Sequence, residues 1–155
     1  MSTRLELAHD FVVAVEAGDW GRANELVPQT APLHKQLELR LLGRSGDTLT
    51  ATMALGESVR GFGDGTVHGG ILATFADVVS AFALIGTHGA GSEHPVTTDM
   101  HIRYYRQPRS GPLKAEATVV HRGRRLLSTE CVIADAEDHI LARSTATYTV
   151  IPLRE

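Results

Sequence analysis

The segment TVHGGILATFADVVSAFALI, residues 66–85, is the most informative part of this chain for its architecture. Two glycines precede an apolar run, which predicts a buried helix over about 69–86. Glycines at the start of a helix leave backbone N–H groups bare and close to any ligand that docks there. Asp77 is the only acid in the apolar run. Oxyanion donors beside an isolated carboxylate are the minimum set of groups for acyl-transfer chemistry.

The predicted helix carries a narrow stripe of small and polar residues at spacings of three and four. Its members are Gly70, Thr74, Asp77, Ser80 and Ala81. A substrate lying along the stripe would meet backbone N–H groups at one end and a carboxylate in the middle. A carboxylate in that position can activate a water molecule or attack a carbonyl carbon directly. The structural alternative is a buried acid that caps a loop or pairs with an arginine.

His68 stands at the mouth of the helix, where we expect it to orient a substrate carbonyl or to fix the glycine turn. Lone histidines are more often structural, and the chain has eight of them. None of the histidines is spaced for a metal cluster on one helical face, so we expect no metal site. The Gly69–Gly70 pair also has a structural alternative, a plain tight turn.

The rest of the sequence predicts an α+β protein with one antiparallel sheet. The period of two that begins near residue 95 and the short links that follow imply antiparallel neighbours. We expect five or six strands curved around one long central helix. The predicted elements are helices at 5–17 and 20–26, a connector at 29–32, strands at 34–42 and 48–55, a glycine-rich loop at 56–67, and strands from about 95 and at 113–121, 126–134 and 140–151. Residues 1–30 would form an N-terminal helical extension, and residues 31–155 the main domain.

The composition excludes several classes of function. The formal net charge of −3 gives no broad basic surface for nucleic acid. The single cysteine, Cys131, excludes an internal disulfide framework and fits a reducing compartment. The N-terminus has no signal-peptide core, and the longest apolar run is shorter than the roughly 20 residues that cross a bilayer. We therefore expect a cytoplasmic protein without membrane or nucleic-acid partners.

The chain resembles a known family, the PaaI-type (phenylacetate-pathway) hotdog-fold thioesterases. The resemblance covers about residues 35–151 and is carried by His68-Gly69-Gly70, Asp77 nine residues after the histidine, the strand TTDMHIRY at 97–104, and Gly123-Arg124-Arg125. It implies an antiparallel sheet wrapped around a central helix. It also implies hydrolysis of acyl-coenzyme A thioesters, homodimers with active sites at the interface, and frequent assembly into homotetramers. Coenzyme A would enter only as part of the substrate, without a separate cofactor.

The resemblance assigns roles to four residues. Asp77 matches the catalytic acid, as general base or nucleophile, and Gly70 matches the residue whose backbone N–H polarises the thioester carbonyl. His68 matches the histidine that positions the carbonyl end of the substrate. Thr97 matches a strand hydroxyl that holds the attacking water in some members. Asp77 and the 68–70 turn would come from opposite subunits.

Two positions depart from the family pattern. Many members have an asparagine about six residues before the histidine, where this chain has Phe62, or Arg60 if the loop is longer by two. Either Arg60 takes over part of that role, or the rate is low, or the chemistry differs. A related branch has a threonine one turn after its acid, where this chain has Ala81.

The substrate-binding predictions concern phosphates and the acyl group. Arginine fits phosphate oxygens well, so a turn with three arginines is a candidate site for coenzyme A, and a solvated hairpin turn is its alternative. Arg103 and Arg106 are further candidates. The full set of predicted binding residues is Gly69, Arg60, Phe62, Thr74, Arg122, Arg124 and Arg125. Phe75, Val78, Phe82 and Phe62 could line an acyl pocket along the central helix, although most of them should belong to the core.

Two other functions remain open from the sequence. The missing asparagine is compatible with a non-catalytic acyl-CoA binder or sensor on the same scaffold. A hotdog hydratase or dehydratase is the third hypothesis. The sequence leaves aromatic, short-chain and medium-chain acyl groups open.

Overall fold

The fold was taken from a computed structural model, which describes residues 3–63, 65–87 and 93–152. Three helices come first, α1 (Arg4–Ala17), α2 (Trp20–Thr30) and α3 (Pro32–Gln36), and the long helix α4 (Gly69–Ala83) follows the first two strands. The six strands are β1 (Arg40–Ser45), β2 (Thr48–Met53), β3 (Glu93–Tyr104), β4 (Leu113–Arg122), β5 (Leu126–Ala134) and β6 (Ile140–Pro152). A short 3₁₀ turn, Glu57–Val59, lies between β2 and α4.

The six strands form one sheet in the order β1-β2-β4-β5-β6-β3, and all neighbouring pairs are antiparallel. Helix α4 contacts five of the six strands, from β2 across to β3. The sheet therefore wraps around the helix, and this confirms the predicted α+β hotdog architecture. The strand predictions at 48–55, 113–121, 126–134 and 140–151 agree with β2, β4, β5 and β6 to within two residues.

The core lies between α4 and the concave face of the sheet. Phe75, Val79 and Leu72 of α4 are at most 2% exposed. The strands present alternate residues to them, as in β2, where Leu49, Ala51 and Met53 are fully buried. Period-two burial is what a sheet with one face on the core requires.

The N-terminal helices differ from the prediction at their junction with the sheet. Helix α2 continues through Pro28 to Thr30, so the predicted end at 26 and the connector at 29–32 are wrong. The part of the predicted strand 34–42 that precedes residue 40 is also wrong, because Pro32 opens α3 and the strand begins only at Arg40. Proline is favoured at the first helical position, since its φ is already helical and the missing N–H would have no partner there.

The extension packs against the sheet as part of the same core. Asn24 on α2 donates from Nδ2 to the carbonyl oxygen of Leu41 at 2.8 Å, and its Oδ1 accepts from the Leu41 N–H at 2.7 Å. Ala23, Leu26 and Val27 are at most 1% exposed. The boundary at residue 30 stays a prediction.

Within the described ranges, no helix combines the length and the apolar character needed to cross a membrane.

Candidate active site

The carboxylate of Asp77 is half-buried on α4 and is held through one of its two oxygens. The Thr97 hydroxyl donates to Oδ1 at 2.6 Å. The Tyr148 hydroxyl lies 3.0 Å from the same oxygen and 3.1 Å from the Asp77 carbonyl oxygen, and it donates to both. No described residue hydrogen-bonds to Oδ2 or forms an ion pair with Asp77. The carboxylate is thus oriented by two hydroxyls, with one oxygen available to a ligand.

Tyr148 is a site residue that the sequence analysis missed. Its side chain is fully buried on β6. Burial raises the pKa of the Tyr148 phenol strongly, the negative charge of Asp77 raises it further, and the hydroxyls of Ser80 and Thr129 act in the opposite direction. The phenol is therefore a protonated donor at neutral pH. The available signal was a tyrosine at a core position of β6, because a buried phenol needs a hydrogen-bond partner.

A β-bulge in β3 makes the Thr97 contact possible. The register of β3 against β6 shifts between Thr97 and Asp99. Ahead of the shift the odd-numbered Thr97 reaches α4. Beyond it the even-numbered Met100 and Ile102 pack against the core, and Tyr104 reaches Gly69 of α4. The uninterrupted alternation predicted from residue 95 is therefore wrong at this point, because a bulge inserts one extra residue and changes the parity of the strand.

The start of α4 presents unpaired backbone donors. His68 is the N-cap residue, and its carbonyl oxygen accepts the first helical bonds, from Ile71 N at 2.9 Å and Leu72 N at 3.3 Å. The N–H groups of Gly69 and Gly70 have no acceptor among the described residues. Gly70 is exposed, so its N–H is accessible. Such a helix start attracts negative charge through its bare donors and its dipole.

Two further residues that the sequence analysis missed fix this turn. The Gln107 side chain accepts from Val67 N at 2.8 Å and donates to the Val67 carbonyl oxygen at 3.4 Å. The Tyr104 hydroxyl donates to the carbonyl oxygen of Gly69 at 2.9 Å. A Cβ atom at Gly69 would lie 3.4 Å from the Tyr104 ring, an ordinary van der Waals contact, so the ring packs directly against this turn.

The other members of the predicted stripe are placed differently. Thr74 donates its hydroxyl to the Gly70 carbonyl oxygen at 2.8 Å, so it faces the helix start. Ser80 is 1% exposed and belongs to the buried surroundings of Tyr148. The side chain of His68 is exposed and has no hydrogen-bond partner in the described part of the chain. The accessible stripe is therefore narrower than predicted.

The loop before α4 is closed by an isolated bridge between Arg60 and Val67. Phe62, near its tip, is 100% exposed, so within the protomer it forms no wall of an acyl pocket. The Arg60 guanidinium lies 3.9 Å from the Glu57 carboxylate in an exposed pair. Phe75 is fully buried and belongs to the core.

The predicted phosphate-binding arginines lie at the turn between β4 and β5. Arg122 pairs with Asp47, whereas Arg124 and Arg125 are exposed and form no ion pair with a described residue. Arg122 on β4 pairs with Leu127 on β5, Leu127 pairs with Tyr148 on β6, and Tyr148 pairs with Thr97 on β3. At about 4.8 Å per strand, the turn lies roughly 14 Å across the sheet from Thr97.

Two other reactive groups lie outside this site. Asp135, Glu137 and His139 bring their oxygen and nitrogen atoms within 4.8 Å of one another. Burial acts to raise the pKa of Asp135, but hydrogen bonds from Arg109, His139 and Glu137 outweigh it and hold the pKa at about 2, so this cluster serves to close a turn. Burial raises the pKa of Cys131 to about 12, which makes its thiol a poor nucleophile at neutral pH.

Comparison with known proteins agrees with this fold. The model of the Thioesterase superfamily matches residues 64–142, just over half of the chain. A thioesterase from Haemophilus influenzae is 24% identical, with a TM-score of 0.75 over 88% of this chain and 92% of that one. The E. coli PaaI protein from the phenylacetic acid degradation operon is 21% identical, with a TM-score of 0.69 over 79% and 86%. A Streptococcus mutans protein bound to acetyl CoA is 20% identical, with a TM-score of 0.64 over 76% and 91%. No curated protein sequence matches the chain.

The fold is that of the PaaI-type hotdog proteins. The chain belongs to the Thioesterase superfamily, whose matched region contains Asp77, the helix start and the Thr97 strand. This membership places it in the class of thioester hydrolases.

The contact between Thr97 and Asp77 predicts a specific pair of variants. Thr97→Val keeps the shape of the side chain but removes the donor to Oδ1, and we expect kcat for thioester hydrolysis to fall about ten- to a hundredfold. Thr97→Ser keeps the hydroxyl and should stay close to wild type. Steady-state kinetics with both variants, and thermal unfolding to check the fold, measure this. Equal activity of the valine and serine variants would exclude a role for the hydroxyl.

Proposed function

We propose that this protein hydrolyses acyl-CoA thioesters to the free acid and coenzyme A. Asp77 acts as general base or nucleophile, and the Gly70 N–H at the start of α4 polarises the carbonyl. The observation that carries the proposal is the half-buried Asp77 carboxylate, which two hydroxyls orient through Oδ1 while Oδ2 has no partner among the described residues.

Two reaction courses fit this geometry. In the first, the carboxylate takes a proton from water as the oxygen attacks the thioester carbon, the tetrahedral intermediate breaks its C–S bond, and the proton passes to the departing sulfur. In the second, the carboxylate attacks and expels the thiolate, and water then hydrolyses the mixed anhydride. In both, the developing oxyanion lies against backbone N–H groups at a helix start.

The distances along α4 support an active site shared between two protomers. Gly70 and Asp77 are seven residues apart on one helix, a rise of about 10.5 Å. A carbonyl group is only about 1.2 Å long, so one thioester cannot contact both groups of the same protomer. A second copy with its α4 antiparallel to the first would bring its helix start to this Asp77.

The sheet offers an edge for such a dimer. Strand β3 lies at one end of the sheet, is 12 residues long, and presents exposed Val96 and Tyr104. A long unpaired edge is a ready template for pairing with another chain. Pairing of two β3 edges about a two-fold axis would continue the sheet and place the two α4 helices side by side. Assembly into a tetramer stays a prediction.

The proposal that coenzyme A binds here rests on two exposed arginines and on one similar solved structure. The exposed Arg124 and Arg125 are available to phosphates, and the bound acetyl CoA of the Streptococcus mutans protein supports a substrate of this class. His68, Gly69, Thr74 and Arg60 stay proposed as contacts near the carbonyl. We also propose a cytoplasmic location, since the single cysteine fits a reducing compartment.

One observation favours the second candidate, an acyl-CoA binder without turnover. Neither Phe62 nor Arg60, the residues at the position of the family asparagine, has a side-chain amide. Phe62 is fully exposed, and Arg60 lies beside Glu57. Binding of an acyl-CoA by the wild-type protein without thiol release would support this candidate.

The central prediction concerns Asp77→Asn. The amide oxygen can still accept from Thr97 and Tyr148, so the variant should fold, but it cannot take a proton or attack a carbonyl. We expect turnover to fall about 10²-fold or more in a thiol-release assay over a panel of acyl-CoAs. The buried Cys131 thiol should not contribute to the signal.

A matched control is Asp138→Asn. Asp138 lies in the turn before β6 and has a φ of 62°, which asparagine tolerates. Its carboxylate pairs with the Lys114 ammonium at 2.9 Å. Exposed pairs of this kind contribute little to stability, so this variant should retain full activity. Normal turnover by a folded Asp77→Asn protein would remove Asp77 from the mechanism.

Subunit mixing tests the shared site. Gly70→Pro deletes an N–H in the first helical turn that has no acceptor among the described residues, and should inactivate the protein. Co-expression of Gly70→Pro with Asp77→Asn should restore about one quarter of wild-type activity, because half of the dimers are mixed and each mixed dimer has one intact site.

Gly70→Ala is the control for the proline variant. It retains the N–H, and its Cβ would meet no atom of a described residue within 4 Å, so activity should persist. If the mixed preparation is as inactive as its parents while the mixed dimers are shown to form, the two groups act within one protomer.

A further inference from the structure

A cavity of about 210 Å³ lies between the N-terminal helices and the C-terminal half of α4. Its lining includes Phe11 and Val12 of α1, Phe82 in the last turn of α4, and Ile85 just after that helix. The rings of Phe11 and Phe82 are 4.9 Å apart, and His34 of α3 packs edge-on against Phe82 at 5.3 Å. An apolar cavity of about 150 Å³ holds a benzene molecule, so this one has room for a larger apolar group.

The cavity begins one helical turn beyond the candidate catalytic acid. Contacts of Gly69 with Tyr104 and of Asp77 with Thr97 show that α4 and β3 run antiparallel along a common seam. Ala81, which lines the cavity, follows Asp77 by four residues, a rise of about 6 Å.

Strand β3, like helix α4, leads from the Asp77 site to the cavity. Pro95, which also lines the cavity, precedes Thr97 by two residues, about 7 Å along the same face of β3. An acyl chain that leaves a carbonyl at Asp77 along the seam, toward the end of α4, therefore enters the cavity.

The charges around the cavity favour a neutral occupant. No lysine or arginine belongs to its lining within the described residues, while Glu16 and Glu93 lie on its wall. The Thr30 hydroxyl donates to the Val27 carbonyl oxygen at 2.8 Å, so it accepts from His34 Nδ1, also at 2.8 Å. Burial lowers the pKa of His34, which keeps the ring uncharged at neutral pH. Phosphates or a terminal carboxylate would meet these acidic groups without a lysine or arginine among the described lining residues.

We infer that this cavity binds the acyl group of the substrate, and that α1 and α3 of the N-terminal region thereby select neutral, apolar acyl groups of medium-chain or aryl size. The inference rests on the proposed thioester hydrolysis and adds the acyl class to it. An acetyl group would leave the cavity unfilled, and a long-chain acyl group would exceed it.

The test compares acetyl-, octanoyl-, benzoyl- and palmitoyl-CoA in the thiol-release assay. For the wild-type protein, kcat/KM for octanoyl- or benzoyl-CoA should exceed that for acetyl- and palmitoyl-CoA by at least about tenfold. Val12→Phe fills the cavity and should lower kcat/KM for octanoyl-CoA at least about tenfold, mainly through KM, while acetyl-CoA changes less than about twofold. Ala8→Leu fills the cavity from another lining position and should act in the same direction if Val12→Phe does not fold.

Val13→Phe is the matched control. Val13 is the next residue on α1, is 48% exposed and does not line the cavity, so its variant should keep the wild-type acyl preference. A wild-type preference for acetyl- or palmitoyl-CoA would overturn the inference. It would also be overturned if the cavity-filling variants lowered the rates with all four thioesters equally.

The same variants separate this inference from the proposed function. If the wild-type protein hydrolyses none of the thioesters, the proposed hydrolysis fails, and calorimetric binding of octanoyl-CoA and acetyl-CoA then tests the cavity alone. Tighter binding of octanoyl-CoA that Val12→Phe abolishes and Val13→Phe preserves would support the inference. Equal binding of the two ligands, or equal effects of the two variants, would refute it.

Discussion

The carboxylate of Asp77 stays half-buried inside an apolar helix because two hydroxyls from neighbouring strands hydrogen-bond to one of its oxygens. Without such donors, a charged group in this position would be expensive to desolvate. The donors come from Thr97 and Tyr148, which are paired in register on β3 and β6. The packing of α4 on these two strands therefore fixes both the fold and the direction of the acid.

The functional groups of the site follow one another along the seam between α4 and β3. Bare N–H groups at the helix start lie at one end, the carboxylate lies in the middle, and the apolar cavity lies beyond it. Within one protomer, Gly70 and Asp77 are too far apart along α4 to contact the same thioester carbonyl. A dimer formed through the β3 edge would resolve that separation, so catalysis and assembly would depend on the same surface.

Most of the fold could be predicted from the sequence, because burial periodicity and turn residues are local signals. The buried helix from residue 69 and the strands β4, β5 and β6 follow from such patterns. The junction at 28–40 did not follow, since Pro28 and Pro32 suggested breaks where the packing of Leu26 and Val27 and a new helical start at Pro32 decided the outcome.

The candidate site could be predicted only in part. Asp77, Gly70 and Thr97 stand in a recognisable spacing, and their proximity to Tyr148, Tyr104 and Gln107 depends on long-range pairing. The bulge after Thr97 leaves no clear mark in the alternation, although it decides which residues of β3 face the helix. Pairing register and bulges are tertiary features, so the residues that hold the acid and the helix start emerged only from the fold.

The most direct measurement is a crystal structure with a non-hydrolysable thioether analogue of octanoyl-CoA that keeps the carbonyl group. We expect the carbonyl oxygen within about 3 Å of the Gly70 N–H of one protomer, and the carbonyl carbon facing Asp77 Oδ2 of its partner directly or through one water. An analogue bound with its carbonyl away from Asp77, or an Asp77 that turns to an internal ion pair when ligand binds, would contradict it.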